Sequence, residues 1–178
     1  LDYATNLAKG EWRDSDLGVV FRDVMSKGGS GALSFTDFRP YAPSADAPAS
    51  FMASQVKSSS GDTIGALIFQ MPIGEINKIM QQQAGLGESG ESYIVGKDFL
   101  MRSDSRFSEE STILKTKVDT GTTRAGLDGK TGLAEVADYR DIMVLSAHAP
   151  LNILGVEWAV MTEIDSSEAF AGVAAIQK

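Results

Sequence analysis

Gly85-Leu-Gly-Glu-Ser-Gly-Glu-Ser-Tyr-Ile-Val-Gly-Lys-Asp-Phe-Leu-Met-Arg-Ser-Asp-Ser-Arg106 is the stretch on which the rest of the chain turns. A glycine-rich entry leads into Ser92-Tyr93-Ile94-Val95, a β-type run. Gly96-Lys97-Asp98 makes a tight turn, and Leu100-Met101-Arg102-Ser103 runs back out. Two such runs about a Gly/Asp turn predict a β-hairpin. The return limb ends in Arg102-Ser103-Asp104-Ser105-Arg106, a dense cluster of guanidinium, hydroxyl and carboxylate groups. Arginine offers a planar fork to a carboxylate, so Arg102, Ser103, Asp104 and Ser105 are candidate ligand-binding residues. The plainer reading is an exposed strand end whose ion pairs are worth little.

Downstream, three further strands are expected over residues 133–139, 143–149 and 156–164. A turn over 126–132 precedes them, a turn over 150–155 divides the last two, and a helix over 166–177 closes the chain. Asp138 and Tyr139 end the first of these strands, and Tyr93 and Tyr139 could line one cavity from two sides. Tyrosine in a strand also serves as cross-strand packing. Residues 108–124 are polar and predict loop with a short helix.

Upstream, Asp14-Ser15-Asp16 followed by Leu17, Val20, Phe21 and Val24 at helical spacing predicts a helix over 14–27. Strands are expected at 33–38, 50–57 and 63–71, the last apolar enough for the centre of a sheet. A helix over 73–80 opens after Pro72, where a missing N–H is harmless. Residues 39–48 carry three prolines and are expected to be a loop. Tyr41 and Ser44 on it are candidate lid residues over a ligand, since loops on a rigid scaffold commonly carry binding groups.

Asp37-Phe38-Arg39 and Asp138-Tyr139-Arg140 each end one strand and precede two more and a helix. This weak internal repeat divides the chain into a partial first unit, 1–84, and a complete second one, 85–178. A hairpin missing from the first unit would lie upstream of Leu1, which fits a piece of a longer protein.

Composition excludes several functions. The chain has 178 residues, 43% of them hydrophobic and 22% charged, ordinary for a globular protein. Its net charge of −8 argues against nucleic acid and against an anionic membrane surface. It has no cysteine, which removes disulfides, zinc–thiolate sites and thiol catalysis. His148, the one histidine, has no nucleophile-elbow serine to serve and is read as structural. Gly129-Lys130-Thr131 lacks the upstream glycine of a phosphate-binding loop, Arg124 standing there. No cofactor or metal is expected.

The order of strands, variable segment and three antiparallel strands resembles the extracytoplasmic Cache sensor domains of bacterial chemotaxis receptors and sensor histidine kinases. Gly87-Glu-Ser-Gly-Glu-Ser-Tyr-Ile-Val-Gly-Lys-Asp is similar to their opening pattern, with Phe99 where the family often has glycine. Thr63-Ile-Gly-Ala-Leu-Ile-Phe-Gln-Met-Pro-Ile and Gly155-Val-Glu-Trp-Ala-Val-Met-Thr-Glu-Ile resemble the closing strands of two successive units. The resemblance implies an α/β (α+β) fold with a PAS-like five-stranded antiparallel sheet, preceded by the partial first unit. It also implies a non-enzymatic, periplasmic small-molecule sensor anchored in the inner membrane by flanking helices outside this chain. The arginine cluster suits a carboxylate ligand. The amino-acid-binding members carry an Arg-x-Trp-Tyr cluster that this chain lacks, with Gln70 near the position of a further family aspartate. Helices 14–27 and 166–177 are the expected homodimer contacts. The competing readings are a small hydrolase and a ligand-free structural or dimerisation module.

Overall fold

Ser15 opens the first helix by accepting a hydrogen bond from the Gly18 N–H at 3.3 Å, which satisfies one otherwise orphaned donor. The computed structural model describes residues 5–29 and 31–171, and in it this helix, α1, runs Asp16–Ser26. Its apolar face buries Val20 and Val24 against Ala49, Phe51 and Ala53.

The strands of the first unit are β1 (Leu33–Phe35), β2 (Arg39–Tyr41), β3 (Ala47–Ala49), β4 (Phe51–Lys57) and β5 (Thr63–Gln70). β1, β4 and β5 form an antiparallel sheet in that order, so β4 is central and β5 lies at an edge. That corrects the expectation for β5. An apolar run signals burial without distinguishing edge from centre, and Phe69 on β5 is 62% exposed. The expected loop at 39–48 is instead a small hairpin, with Pro40 opposite Pro48. A two-stranded ribbon has a free side for each strand, which is where proline is tolerated.

The second unit contains α2 (Ile73–Met80), β6 (Glu91–Gly96), α3 (Gly121–Leu127), β7 (Gly132–Ala137), β8 (Met143–Ile153), β9 (Val156–Asp165) and α4 (Ser166–Ala169). Its sheet has the order β6-β9-β8-β7. Four strands stand where five were expected. The return limb of the hairpin holds by bridges only, Met101 to Val95 and Leu100 to Lys117, with Arg102 N–H donating to Ile94 O at 2.7 Å. Its polar residues turn to side-chain partners instead of a ladder. Phe99 sits at φ 64°, which explains why glycine would suit that turn.

Gly126 and Leu127, expected in a turn, are the last residues of α3. β8 runs through Pro150, and the turn shrinks to Leu154 and Gly155. β7 begins at Gly132, opposite His148, so the proline falls where β8 lacks that neighbour. Tyr93, Val95, Met101, Val118, Ala159 and Met161 are fully buried and fill the interior. Trp158, opposite Gly96, is buried as expected.

The chain divides between Met71 and Pro72, with Ile153–Val156 counted in the first unit, where the sequence suggested 84 and 85. α2 goes with the second unit because Asn77 and Asp104 exchange hydrogen bonds of 2.6 and 2.8 Å. In the first unit β1, β4 and β5 are neighbours in one antiparallel sheet, and in the second β7, β8 and β9 are neighbours in another. Of the helix expected over 166–177, α4 forms the start and residues 172–177 lie outside the described residues. The apolar face of α1, the basis for a dimer contact there, is occupied within its own unit.

Candidate functional site

β-strand alternation brings a polar cluster to the inner face of the second unit. On β6, Glu91, Tyr93 and Val95 point one way, and Tyr93 is fully buried. On β9, Ala159, Met161 and Glu163 do the same. Glu91 and Glu163 are register partners, each 1% exposed. Tyr139 and Ser105 hydroxyls donate to Glu91 at 2.6 and 2.8 Å, while Tyr93 and Ser146 hydroxyls donate to Glu163, both at 2.7 Å. The Tyr93 and Tyr139 rings meet edge to face at 5.7 Å. Asp138 supplies a third buried carboxylate, with an oxygen from each acid within 4.8 Å of the others. Asp138 is held by the Arg140 guanidinium at 2.7 Å and by the N–H groups of Arg140 and Ile142. Hydroxyls, the guanidinium and two backbone N–H groups thus each reach a carboxyl oxygen of the three acids.

Burial, reinforced by the Glu163 charge, pushes the Tyr93 phenol far above its ordinary range. Burial and the Glu91 hydrogen bond push Tyr139 the same way. Burial raises Glu163, against the hydrogen bonds of Ser146 and Tyr93 and with the charges of Asp138 and Glu91.

Of the residues singled out from the sequence, Tyr93, Ser105, Asp138 and Tyr139 converge here. Arg102 does not. Its guanidinium is buried over Gly96, 2.9 Å from both Asp98 Oδ2 and Leu100 O, and it braces the hairpin turn. Ser103 Oγ accepts from the Ile94 N–H at 3.0 Å. Asp104 binds Asn77, Ser111 and the Thr112 N–H. Tyr41 and Ser44 lie in the first unit. Sequence reasoning missed Glu91 and Glu163, although the two-residue period from Tyr93 points straight at Glu91. His148 is buried in β8 opposite Gly132, in keeping with a structural role.

The first unit carries a groove of about 300 Å³ between α1 and the β2–β3 hairpin, lined by Trp12, Asp16, Arg39, Tyr41 and Pro43 among others. Arg39 Nε stands 3.8 Å from Asp16 Oδ1, beyond hydrogen-bond distance. Burial raises the Asp16 carboxyl, Arg39 partly offsetting it. Tyr41 packs edge-on against Phe51, ring centroids 5.1 Å apart, which fixes its orientation. The groove offers a cation, an anion and aromatic wall in one concavity.

Comparison with protein families finds no match, and neither does a search of curated proteins. Solved structures do match. The periplasmic sensory domain of the Campylobacter jejuni chemoreceptor Tlp1 aligns over 85% of this chain and 56% of its own, with TM-score 0.62 and 14% identity. The ligand-binding domain of the Pseudomonas aeruginosa amino acid chemoreceptor PctC, in complex with GABA, aligns over 92% and 66%, with TM-score 0.58 and 18% identity. That of the Pseudomonas fluorescens chemoreceptor CtaA, in complex with L-leucine, aligns over 95% and 66%, with TM-score 0.55 and 12% identity. The chain therefore spans roughly half to two-thirds of these structures, and its fold is that of chemoreceptor sensory domains.

Proposed function

We propose that this chain is an extracytoplasmic ligand-sensing domain of a bacterial transmembrane signalling receptor, a chemoreceptor in the first instance, and that the groove of its first unit takes a small zwitterion. The observation that carries this reading is the Asp16–Arg39 pair, held apart at 3.8 Å on the wall of a concave, aromatic-lined groove. Arg39 would meet a ligand carboxylate with its planar fork, and Asp16 would meet an ammonium group. The partly buried Asp16 gains most from such a partner, because burial disfavours its charge. Tyr41 and Trp12 would flank the rest of the ligand, and Ser44 rides on the hairpin that would close over it. The expected carboxylate is kept, with Arg39 in the role first given to Arg102. GABA and L-leucine, bound by the neighbouring chemoreceptors, carry both charged groups. Binding would favour the state with the higher affinity for the ligand, and membrane anchoring and dimerisation belong to the same proposal. Among the described residues no helix is long and apolar enough to cross a membrane.

The test is a thermal-shift and calorimetric screen of amino acids and related zwitterions against the wild type, Arg39→Ala, Asp16→Asn and Arg102→Ala. A ligand at 100 times its Kd adds ~2.7 kcal/mol of stability, a shift of several degrees at this size. The expected result is a zwitterion whose shift vanishes in the first two variants and survives in the third. A shift unchanged in Arg39→Ala and Asp16→Asn, or no shift from any compound, removes the groove from consideration.

A further inference from the structure

The turn that leads into β6 folds tightly on itself. Gly87 takes φ 65°, a left-handed conformation that glycine adopts without strain. A Cβ on it would overlap Glu168 Oε1, and a Cβ on Gly90 would overlap Leu86 O. The turn presents two successive backbone donors to one carboxylate. Glu88 N–H meets Glu168 Oε1 at 2.9 Å, and Ser89 N–H meets Oε2 at 2.8 Å. Ser89 Oγ donates to the same Oε2 and accepts the Asp165 N–H at 3.1 Å. Successive N–H groups in a turn form a concavity for anions, and hydrogen bonds to a carboxylate are stronger than neutral ones. Arg106 adds a cation. It donates through Nη2 to Glu88 O, its charge acts on Glu168, and its Nη1 is buried with no hydrogen-bond partner among the described residues. Of the acids nearby, Asp165 is engaged by Arg140 at 3.1 Å, and Glu88 is exposed on the turn itself. Glu168 is the acid that α4 gives to the turn.

We infer that the turn at 87–89 and Arg106 form a carboxylate-binding site of the second unit, and that Glu168 is its built-in, displaceable occupant. Two backbone N–H groups, one hydroxyl and one guanidinium converge on a carboxylate that is held there by its own side chain alone. A small carboxylate from solution, acetate being the simplest, presents the same two oxygens to the same donors. It competes with Glu168 at the effective concentration that the tether sets. Exchange frees Glu168 from the entry to β6, while Arg140 keeps its hold on Asp165, the N-cap residue of α4. The site therefore couples an anion to the fastening of α4. Use of that release as a signal rests on the sensing role proposed above. The anion site does not.

Glu168→Ala in the whole chain removes the occupant. Titration of its amide resonances with sodium acetate at neutral pH, against sodium chloride at equal ionic strength, tests the site. The expected result is a saturable shift at Glu88 and Ser89 with acetate alone, and slower hydrogen exchange at both amides. The same response in wild type should need about tenfold more acetate, because a tethered competitor acts at high effective concentration. Adding Arg106→Ala to Glu168→Ala should weaken acetate binding several-fold. No saturable response in Glu168→Ala, or an equal one from chloride, overturns the inference. Should that variant fail to fold, Glu168→Gln decides, since a neutral amide holds the donors less strongly than a carboxylate. Acetate must then act at a lower concentration than in wild type, and equal concentrations overturn the site. Arg39→Ala and Asp16→Asn, each added to Glu168→Ala, should leave the acetate response unchanged. An acetate response without a zwitterion shift refutes only the groove, and a zwitterion shift without an acetate response refutes only this site.

Discussion

Tyr93 shows how much one side chain can hold together. Its ring lies in the apolar core of the second unit, and its hydroxyl reaches Glu163 at 2.7 Å. Tyr93→Phe keeps the ring and strands a buried carboxyl oxygen, which should cost about 1–3 kcal/mol, read as a lower denaturant midpoint at unchanged slope. Arg102 makes the opposite lesson. Burial is the largest single influence and would raise the Asp98 carboxyl, but the Arg102 hydrogen bond, the backbone N–H groups and the guanidinium charge together outweigh it and hold Asp98 below its ordinary value. A depressed acid contributes stability that is present above its unfolded pKa and lost as pH falls through the folded one. Asp98 is 48% exposed on its side chain, so solvent screening keeps this contribution small. Arg102→Ala should therefore lower stability at neutral pH, lose part of that difference in acid, and leave ligand binding unchanged. Equilibrium unfolding at several pH values checks it.

At the scale of elements, α1 and α4 depend on local chemistry that can be cut selectively. Ser15→Ala should cost about 1 kcal/mol through the lost cap. Gly18→Ala reverses a common rule. Alanine is ordinarily favoured over glycine inside a helix by about 1 kcal/mol. Here the added Cβ would collide with the carbonyl oxygens of Trp12 and Arg13, which are backbone and cannot swing aside. The substitution should lower the melting temperature. At α4, Glu168 accepts the N–H groups of Glu88 and Ser89 at 2.9 and 2.8 Å and the Ser89 hydroxyl. The Ser89 hydroxyl, then these amides, hold its carboxyl below the usual glutamate range. The tie should hold above that range and fail as pH falls through the depressed value. Glu168→Gln should speed amide exchange at Glu88 and Ser89 at neutral pH, and equal exchange rates in both proteins would dismiss it.

For the whole molecule, the shifted acids pull stability in two directions. Asp23 is depressed by hydrogen bonds from Lys27 and Ser34, and with Asp98 and Glu168 it loses its contribution in acid. Glu163 is raised, so it penalises the fold at high pH and the penalty lifts as pH falls through its folded value. Stability should peak on the acid side of neutrality, and Glu163→Gln should flatten the fall above that peak. A curve that rises monotonically into the alkaline range would contradict this.

Much of the architecture was legible in residue pattern. The helical spacing of Leu17, Val20 and Val24, the proline before α2 and the alternation about Tyr93 are local signals, and the elements they predict are there. Local pattern could not tell that β5 is an edge strand, that the 39–48 segment pairs with itself, or that the hairpin's return limb forms bridges only. Those outcomes depend on which neighbours the fold supplies. The polar residues divided in the same way. Tyr93, Ser105, Asp138 and Tyr139, expected from their residue types to line a ligand pocket, come together around the buried acids of the second unit. Glu91 and Glu163 are 72 residues apart in sequence, read from their numbers, and they become a pair only where β6 lies beside β9. Arg102 looked like a ligand's partner until tertiary packing turned its guanidinium onto Asp98. A sequence determines which side chains share a strand face. Only the folded chain decides which face meets which, because register between distant strands is set by the burial of the whole core.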